Sequence, residues 1–368
     1  MIERRKTRRV VVGGVPIGGG APVTVQSMTK TDTRDIEATV RQLESLAKAG
    51  CEIARCAIPD AAAAAAFAEI KRRSPLPLVA DIHFDYRLAH AAIAAGADKL
   101  RINPGNIGGR ERVREVARAA KERGIPIRVG VNAGSLEKDL LAKYGRPCAE
   151  ALVESARRSA GLLENEGFSD IVISIKASDV VTTVEAYEAI SEETDYPLHV
   201  GLTEAGGPRA GAVKSAVAIG ALLLKGIGDT IRVSLTAEPE EEVRVAREIL
   251  SSVGLRRFGV EVISCPTCGR CHGDLFGIVR EVERGVAGID APLKVAVMGC
   301  EVNGPGEARE ADIGVALGEG AGLLFARGKP AGRVPQGEIV ERLVNEVQKM
   351  GKMDRETRKR ADAVGGLV

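Results

Sequence analysis

The chain has 368 residues, 45% of them hydrophobic, and its 52 basic and 50 acidic side chains leave a formal charge of +2. That balance, with no Trp, four Tyr and six Phe, argues against a nucleic-acid or base-stacking surface. No apolar run reaches bilayer length, and the basic stretch from Arg4 to Arg9 lacks the features of a secretory signal, so a cytoplasmic protein is expected.

Residues 10–22, with two short glycine runs, read as a hairpin. An alternation then begins between short β-branched runs and amphipathic stretches rich in Ala, Glu and Arg. Strands are expected at 23–28, 52–57, 78–83, 99–103, 127–131, 171–175, 198–202 and 230–235, with helices between them, as at 36–49, 109–123, 148–166 and 238–252. Eight such units in about 240 residues match an α/β fold of the (β/α)8 TIM-barrel type. No G-x-G-x-x-G follows the first strand, which leaves a dinucleotide fold without support. The loop at 132–147 is longer than its neighbours and is expected to act as a lid. Near 252–257 the alternation stops, so residues 1–255 are assigned to a substrate-binding barrel and 256–368 to a small α+β domain. That domain is expected to hold strands at 260–264 and 293–298, a helix at 275–284, a strand pair at 313–316 and 322–327, a helix at 338–350 and a basic tail to 360.

A barrel of this type does its chemistry where the strands end. The second expected strand carries Arg55, the third ends with Asp81 and His83, and the fourth with Arg101 and Asn103. The fifth carries Arg128 and then Asn132, the sixth ends at Lys176, the seventh carries His199 and ends at Glu204, and the eighth carries Arg232 and Ser234. Burying charges without partners is expensive, and four arginines and a lysine converging on one mouth would repel one another. An anionic ligand relieves that strain, and the planar fork of Arg suits phosphate oxygens, so a phosphorylated or diphosphate substrate is expected. The structural alternative is pairing of each Arg with a helix carboxylate on the barrel rim, or with Asp81, His83 and Glu204 as internal partners. Glu204 is also a candidate proton donor.

Seven cysteines without an export signal point to metal or redox chemistry rather than a disulfide framework. Cys51, Cys56 and Cys148 read as small hydrophobes. Cys265, Cys268 and Cys271 lie within one turn, and Cys300 stands in a glycine-rich stretch with Glu307 seven residues on. The two-plus-two spacing of a zinc ribbon is absent. A C-x2-C-x2-C run with a remote fourth Cys is closer to ferredoxin spacing and favours iron–sulfur over zinc, for which His272 would be a further ligand. Either all four thiols bind a [4Fe-4S] cluster, or Cys265, Cys268 and Cys300 bind three irons and leave the fourth to Glu307 or to substrate. Spacing does not separate the two.

Several longer motifs point one way. They include Val79-Ala80-Asp81-Ile82-His83-Phe84-Asp85, Arg101-Ile102-Asn103-Pro104-Gly105-Asn106-Ile107-Gly108 and Gly130-Val131-Asn132-Ala133-Gly134-Ser135. Further along stand Ser174-Ile175-Lys176-Ala177-Ser178, His199-Val200-Gly201-Leu202-Thr203-Glu204-Ala205-Gly206 and Thr230-Ile231-Arg232-Val233-Ser234-Leu235. The last are Ser264-Cys265-Pro266-Thr267-Cys268-Gly269-Arg270 and Gly299-Cys300-Glu301-Val302-Asn303-Gly304-Pro305-Gly306-Glu307. Through nearly its whole length the sequence resembles the bacterial 4-hydroxy-3-methylbut-2-en-1-yl diphosphate synthases of the methylerythritol phosphate route to isoprenoids, in their short two-domain form.

The resemblance implies a reductive ring opening and dehydration of 2-C-methyl-D-erythritol 2,4-cyclodiphosphate, with electrons from flavodoxin or ferredoxin. It implies a [4Fe-4S] cluster on Cys265, Cys268 and Cys300, with Glu307 holding the fourth iron until substrate replaces it, and Cys271 outside the ligand set. Substrate binding falls to Arg55, Arg101, Arg128, Lys176, Arg232 and Ser234, with Asp81, Asn132, His199 and Asn303 in matching motifs, and proton transfer to Glu204. The implied assembly is a homodimer in which the barrel of one chain faces the cluster domain of the other. The competing expectations are a non-redox lyase with a structural zinc and Lys176 as a Schiff-base lysine, and a cluster carrier without a substrate.

Overall fold

The computed structural model describes residues 2–103 and 105–365, with side chains as far as Met353. The chain divides into two compact units, Met1–Arg256 and Arg257–Val368.

The first unit opens with the expected hairpin, β1 (Val10–Val12) and β2 (Val15–Ile17), paired antiparallel. Eight parallel strands and their helices follow. They run β3 (Thr24–Met28), α1 (Ile36–Ala49), β4 (Ile53–Ala57), α2 (Ala61–Arg73), β5 (Leu78–Asp81), α3 (Tyr86–Ala94), β6 (Lys99–Ile102) and α4 (Arg110–Glu122). The second half runs β7 (Ile127–Asn132), α5 (Lys138–Tyr144), α6 (Ala149–Glu164), β8 (Ile171–Lys176), α7 (Val180–Glu193), β9 (His199–Val200), α8 (Pro208–Leu224), β10 (Thr230–Ile231) and α9 (Pro239–Ser252). The sheet order is β8-β7-β6-β5-β4-β3-β10-β9, and a parallel bridge from Ile173 to Leu198 joins the two ends. This is the (β/α)8 barrel that the alternation predicts.

Local chemistry sets the helix limits. The Asp35 carboxylate accepts from the Ala38 N–H to start α1, and Gly50, at φ 93°, ends it in a left-handed turn open to glycine at little cost. Val40, Leu43 and Leu46, at helical spacing, turn its apolar stripe onto the barrel. Pro239 opens α9, and Glu240, Glu241 and Glu242 stand in its first turn, where the helix dipole favours negative charge.

Two expected strands shrink. β9 and β10 are two residues each, because beyond Val200 the Arg232 carbonyl comes so near Gly201 that any Cβ there would stand 2.2 Å from it. The expected loop at 132–147 contains a single 3-10 turn (Ala133–Ser135) and α5, so most of it is helical. Val12 and Ile17 of the hairpin pack with Ile53 and Val79, at the N-terminal ends of β4 and β5, and so plug the barrel floor.

The second unit is one five-stranded sheet with helices on both faces. Its elements are β11 (Glu261–Ser264), α10 (Leu275–Val286), β12 (Lys294–Met298), α11 (Gly304–Arg309), β13 (Ile313–Leu317), β14 (Ala321–Ala326), β15 (Lys329–Pro335) and α12 (Ile339–Gly365). The strands lie in chain order, β11 to β13 parallel and β13 to β15 antiparallel. Ile278 and Val282 of α10 and Leu343 and Val347 of α12 bury Val295, Val297, Ile313 and Val315 on one face. On the other, Ala308 of α11 packs with Ala296, Ala316 and Phe325. Three features differ from the sequence reading. β15 was not expected; it is a proline- and glycine-bearing edge strand of the kind a central ladder does not admit. α12 runs on to Gly365 through the region read as a basic tail. The Gly304-Pro305-Gly306 stretch is a short helix rather than a turn, its Pro in the first turn where the missing N–H goes unneeded.

Candidate active site

In a strand, alternate residues face the same side, and the parallel register lines up Ala57 with Asp81, Asp81 with Arg101, Arg101 with Arg128, and Asn132 with Lys176. The result is a barrel filled with charge. Arg101, Arg128, Lys176 and Lys99 are all buried, Lys99 completely, while Arg55 and Arg232 are half-buried. Two buried carboxylates answer these six cations. Asp81 meets Arg101 at 3.2 Å, His83 at 3.3 Å and Arg55 at 3.7 Å. Glu242 arrives from α9 and meets Lys30 at 3.2 Å and Arg232 at 3.7 Å, and accepts from the Ser27 hydroxyl at 3.1 Å.

Two of the remaining three cations have neutral partners. Arg128 donates to the Ser174 hydroxyl at 3.1 Å and Lys99 to the Gln26 side-chain oxygen at 3.3 Å. Burial drives the Lys176 ammonium well below the ordinary lysine value, and Arg128, Arg232, Arg55 and Arg101 push the same way. Lys99 is lowered likewise, by burial and then by Arg128 and Arg55. Burial and the surrounding cations also keep His199 neutral. Burial pushes the Asp81 carboxyl up, but Arg55, His83 and Arg101 together outweigh it and hold it well below the usual carboxylate range. Arg232 is pushed down to about 10, by burial first and then by Arg55, against the pull of Glu242. A guanidinium does not give up its proton, so at Arg128, fully buried beside Arg55 and Arg101, the same forces appear as unrelieved repulsion.

Several buried polar atoms in this interior lack a protein partner: the donors Nε of Arg101, Nε and Nη2 of Arg128 and Nε of Arg232, and both ring nitrogens of His199, one a donor and one an acceptor in the neutral ring. Buried polar groups are rarely left so, and the guanidinium donors call for acceptor oxygens.

The structure therefore brings Arg55, Asp81, Arg101, Arg128, Lys176, His199 and Arg232 into one charged interior. Asn132 and Ser234 lie half-buried near the ends of their strands. Glu204 is exposed, and its backbone is left-handed at φ 48°, a strained setting for a residue with a side chain. Asn103 is buried and accepts from the Gly105 N–H at 3.1 Å, shaping its own loop. Lys99, Gln26, Ser174 and Glu242 were missed. Lys99 stands two residues before Arg101, so strand alternation alone puts both on one face.

In the second unit the thiols gather around Gly299. Its N–H donates to the Cys265 sulfur at 3.3 Å, and its carbonyl accepts from His272 N–H at 2.8 Å, tying the two motifs together. A Cβ on Gly299 would stand 2.7 Å from the Cys271 sulfur and 3.3 Å from that of Cys265, so only glycine leaves room for both. Cys300 precedes α11, and the N–H groups of Asn303, Val302 and Gly304 draw its thiol below the ordinary value. Burial raises the Cys271 thiol, and Cys265, Cys268 and Cys300 raise it further, so all four share one electrostatic neighbourhood. Glu307, exposed, lies one turn along α11 from Asn303. Cys51 and Cys56 are buried in the barrel, where desolvation pushes each thiol up to about 12 and keeps it inert.

This donor set suits an iron–sulfur cluster. Thiolates around one zinc stand about 3.8 Å apart. Among the described residues no three His, Cys, Asp or Glu side chains close on a point in that way. A cluster is larger and takes thiols spread around it, as thiols drawn from two separate loops, Cys265 against the Gly299 N–H and Cys300 next along the chain, provide.

Known proteins share this pairing of a charged barrel with a thiol-bearing unit. The family model described as the GcpE TIM-barrel domain matches residues 7–247, and that of the GcpE protein C-terminal domain matches residues 261–349. A Geobacter sulfurreducens protein is 58% identical over 347 residues, covering 94% of this chain and 98% of its own length. One from Thermodesulfovibrio yellowstonii is 58% identical over 349 residues, 95% of this chain and all of its own. One from Caldanaerobacter subterraneus is 58% identical over 353 residues, 96% of this chain and 99% of its own. All three are named 4-hydroxy-3-methylbut-2-en-1-yl diphosphate synthase (flavodoxin). With both units matched in order and relatives this similar along almost the entire chain, the protein belongs to the GcpE family.

Proposed function

We propose that this chain reduces 2-C-methyl-D-erythritol 2,4-cyclodiphosphate, with two electrons and one proton, to (E)-4-hydroxy-3-methylbut-2-enyl diphosphate and water, in isoprenoid precursor synthesis in the cytoplasm. The observation that carries the reading is Arg128: fully buried, without a carboxylate partner among the described residues, and with two guanidinium nitrogens unsatisfied. A cyclic diphosphate is a compact dianion of the kind such a site lacks.

Arg55, Arg101, Arg128, Lys176 and Arg232 bind the diphosphate oxygens, with Ser234, Asn132 and Asn303 as neutral donors. Asp81 orients Arg55 and Arg101 without cancelling the whole field. His199, neutral in this interior, donates a hydrogen bond without adding charge. Glu204 delivers the proton, its exposed loop giving it contact with solvent. Cys265, Cys268 and Cys300 hold a [4Fe-4S] cluster, with Glu307 as the replaceable ligand. When bound, the cluster supplies electrons and a Lewis-acidic iron, which breaking a C–O bond under mild conditions requires. Flavodoxin, or ferredoxin in its place, delivers the electrons.

The active assembly is a homodimer, the barrel of one chain facing the cluster unit of another. Helix α8 supports self-association. It buries Ala218, Ile219, Leu222 and Leu223, yet Val213, Val217 and Leu224 stand exposed on it. Exposed valines and a leucine on a helix whose other side is already buried suit a covered position. Val217→Glu is expected to give a monomer in sedimentation velocity, and an unchanged dimer would move the interface elsewhere.

The test of the function is anaerobic turnover of the cyclodiphosphate by the purified protein with dithionite as reductant. Product formation by a brown protein containing acid-labile sulfide is expected. A colourless protein with one zinc and no sulfide would overturn the reading in favour of a non-redox lyase.

A further inference from the structure

We propose that Cys271, the thiol outside the ligand set, is a resolving thiol that closes a reversible disulfide with Cys265 in the cluster-free chain. The inference rests on the reading of Cys265 as a cluster ligand, which cluster loss in Cys265→Ser tests separately.

Three observations single out this pair. The sulfurs of Cys271 and Cys265 both press on the bare flank of Gly299, at 2.7 and 3.3 Å from the point a Cβ would occupy, with the Leu275 side chain closing the same spot at 3.3 Å, so the two thiols share one small apolar recess. Both are half-buried and pack against the same apolar core, whereas Cys268 is exposed. Cys300 is engaged by the N–H groups at the start of α11. The turn between the partners is pinned by the Cys271 N–H to Cys268 carbonyl bond at 3.0 Å and that of His272 to Gly299 at 2.8 Å. Closing the bond brings the sulfurs to about 2 Å by rotation of the two side chains over the Gly299 flank.

The oxidant is a small-molecule disulfide such as glutathione disulfide. One cysteine thiolate attacks it and releases one reduced thiol. The second cysteine displaces the other, so two protons leave the protein and two electrons end on the carrier's sulfurs. A thiol reductant reverses both steps. Cys265 is thereby kept in a recoverable state and off the path to sulfinic acid, from which a thiol does not rescue it.

The sequence supplies its own assay, because trypsin cuts at Arg257, Arg270 and Arg280 and so separates Cys271 from the other two thiols of the turn. The full-length protein is stripped of its cluster without oxygen, treated with glutathione disulfide, alkylated and digested. The expected product is peptide 258–270 joined to peptide 271–280, with Cys268 and Cys300 alkylated. The link should survive Cys268→Ser, vanish in Cys271→Ser and be absent from cluster-loaded protein. After peroxide and then reductant, Cys271→Ser should rebuild less cluster, by iron and sulfide content, than the parent. Alkylation of Cys271, its linkage to Cys300, or loss of the link in Cys268→Ser would each overturn the proposal.

Discussion

Asp81 and Arg101 sit directly opposite each other on β5 and β6 and join at 3.2 Å in the barrel interior, both almost fully buried. The same carboxylate reaches Arg55 and His83, so one anion organises much of the cationic field. Removing one partner of a buried pair typically costs about 3–5 kcal/mol, because it strands the other charge. Asp81→Ala should therefore lower the unfolding free energy by an amount in that range, measured by denaturant titration of ligand-free protein.

The same residue sets an acid dependence. Its folded carboxyl titrates well below the usual range, while in the unfolded chain it titrates at about 3.9. The stability it contributes is fully present above that unfolded value. It is lost as pH falls further, since the unfolded chain then binds a proton that the folded chain refuses. The stability of the parent should fall from about pH 4 downward, and this contribution should be missing from the acid limb of Asp81→Asn in denaturant titrations.

Arg128 should behave in the opposite sense. Replacing a buried unpaired charge with an apolar side chain of similar length is often neutral or stabilising, by about 1–4 kcal/mol. Arg128→Met should keep or raise the melting temperature of the free protein. It should lose the further rise that the cyclodiphosphate gives the parent, since a ligand stabilises only what it binds. Equal thermal shifts in parent and variant would take Arg128 out of the anion site.

The proposed division of the thiols into three ligands and a neighbour is open to substitution. Cys268→Ser should lose its cluster, whereas Cys271→Ser, purified without oxygen, should keep it, by iron and sulfide content. Glu307→Ala should retain iron but change the cluster's electron paramagnetic resonance spectrum. An unaltered spectrum would place Glu307 away from the iron.

Gly299→Ala tests the cradle itself. The added methyl would stand 2.7 Å from the Cys271 sulfur, closer than side-chain atoms pack. Cluster content should drop, and Cys271→Ala in the same chain should restore part of it by opening that side. No rescue would mean that contact with Cys265 dominates.

The barrel was legible because its signal repeats. Eight short β-branched runs alternate with capped helices, and the cations show as charges where a strand should be apolar. Lys99 lies at the start of its strand rather than at the end where barrel chemistry is expected, although it shares the inward face with Arg101. Glu242 escaped because it comes from a helix, and no strand pattern points to the carboxylate that answers Arg232 and Lys30. The short α11 was hidden by Gly304-Pro305-Gly306, which reads as a turn until its Pro is seen to occupy the first turn of a helix. β15 was hidden by its prolines and glycine, which an edge tolerates and a central strand does not. Convergence of the Cys265 and Cys271 thiols on Gly299 was not readable, because it depends on two loops meeting from separate strands.

The hairpin that plugs the barrel floor makes the interior a cul-de-sac. Whatever balances Arg128 and Lys176 enters and departs through the same opening. In a solution rich in phosphate, small anions should compete for that opening, and the substrate should then arrive by exchange rather than by filling an empty space. Its apparent affinity becomes a property of the surrounding electrolyte as much as of the protein, set by how readily the incumbents are evicted.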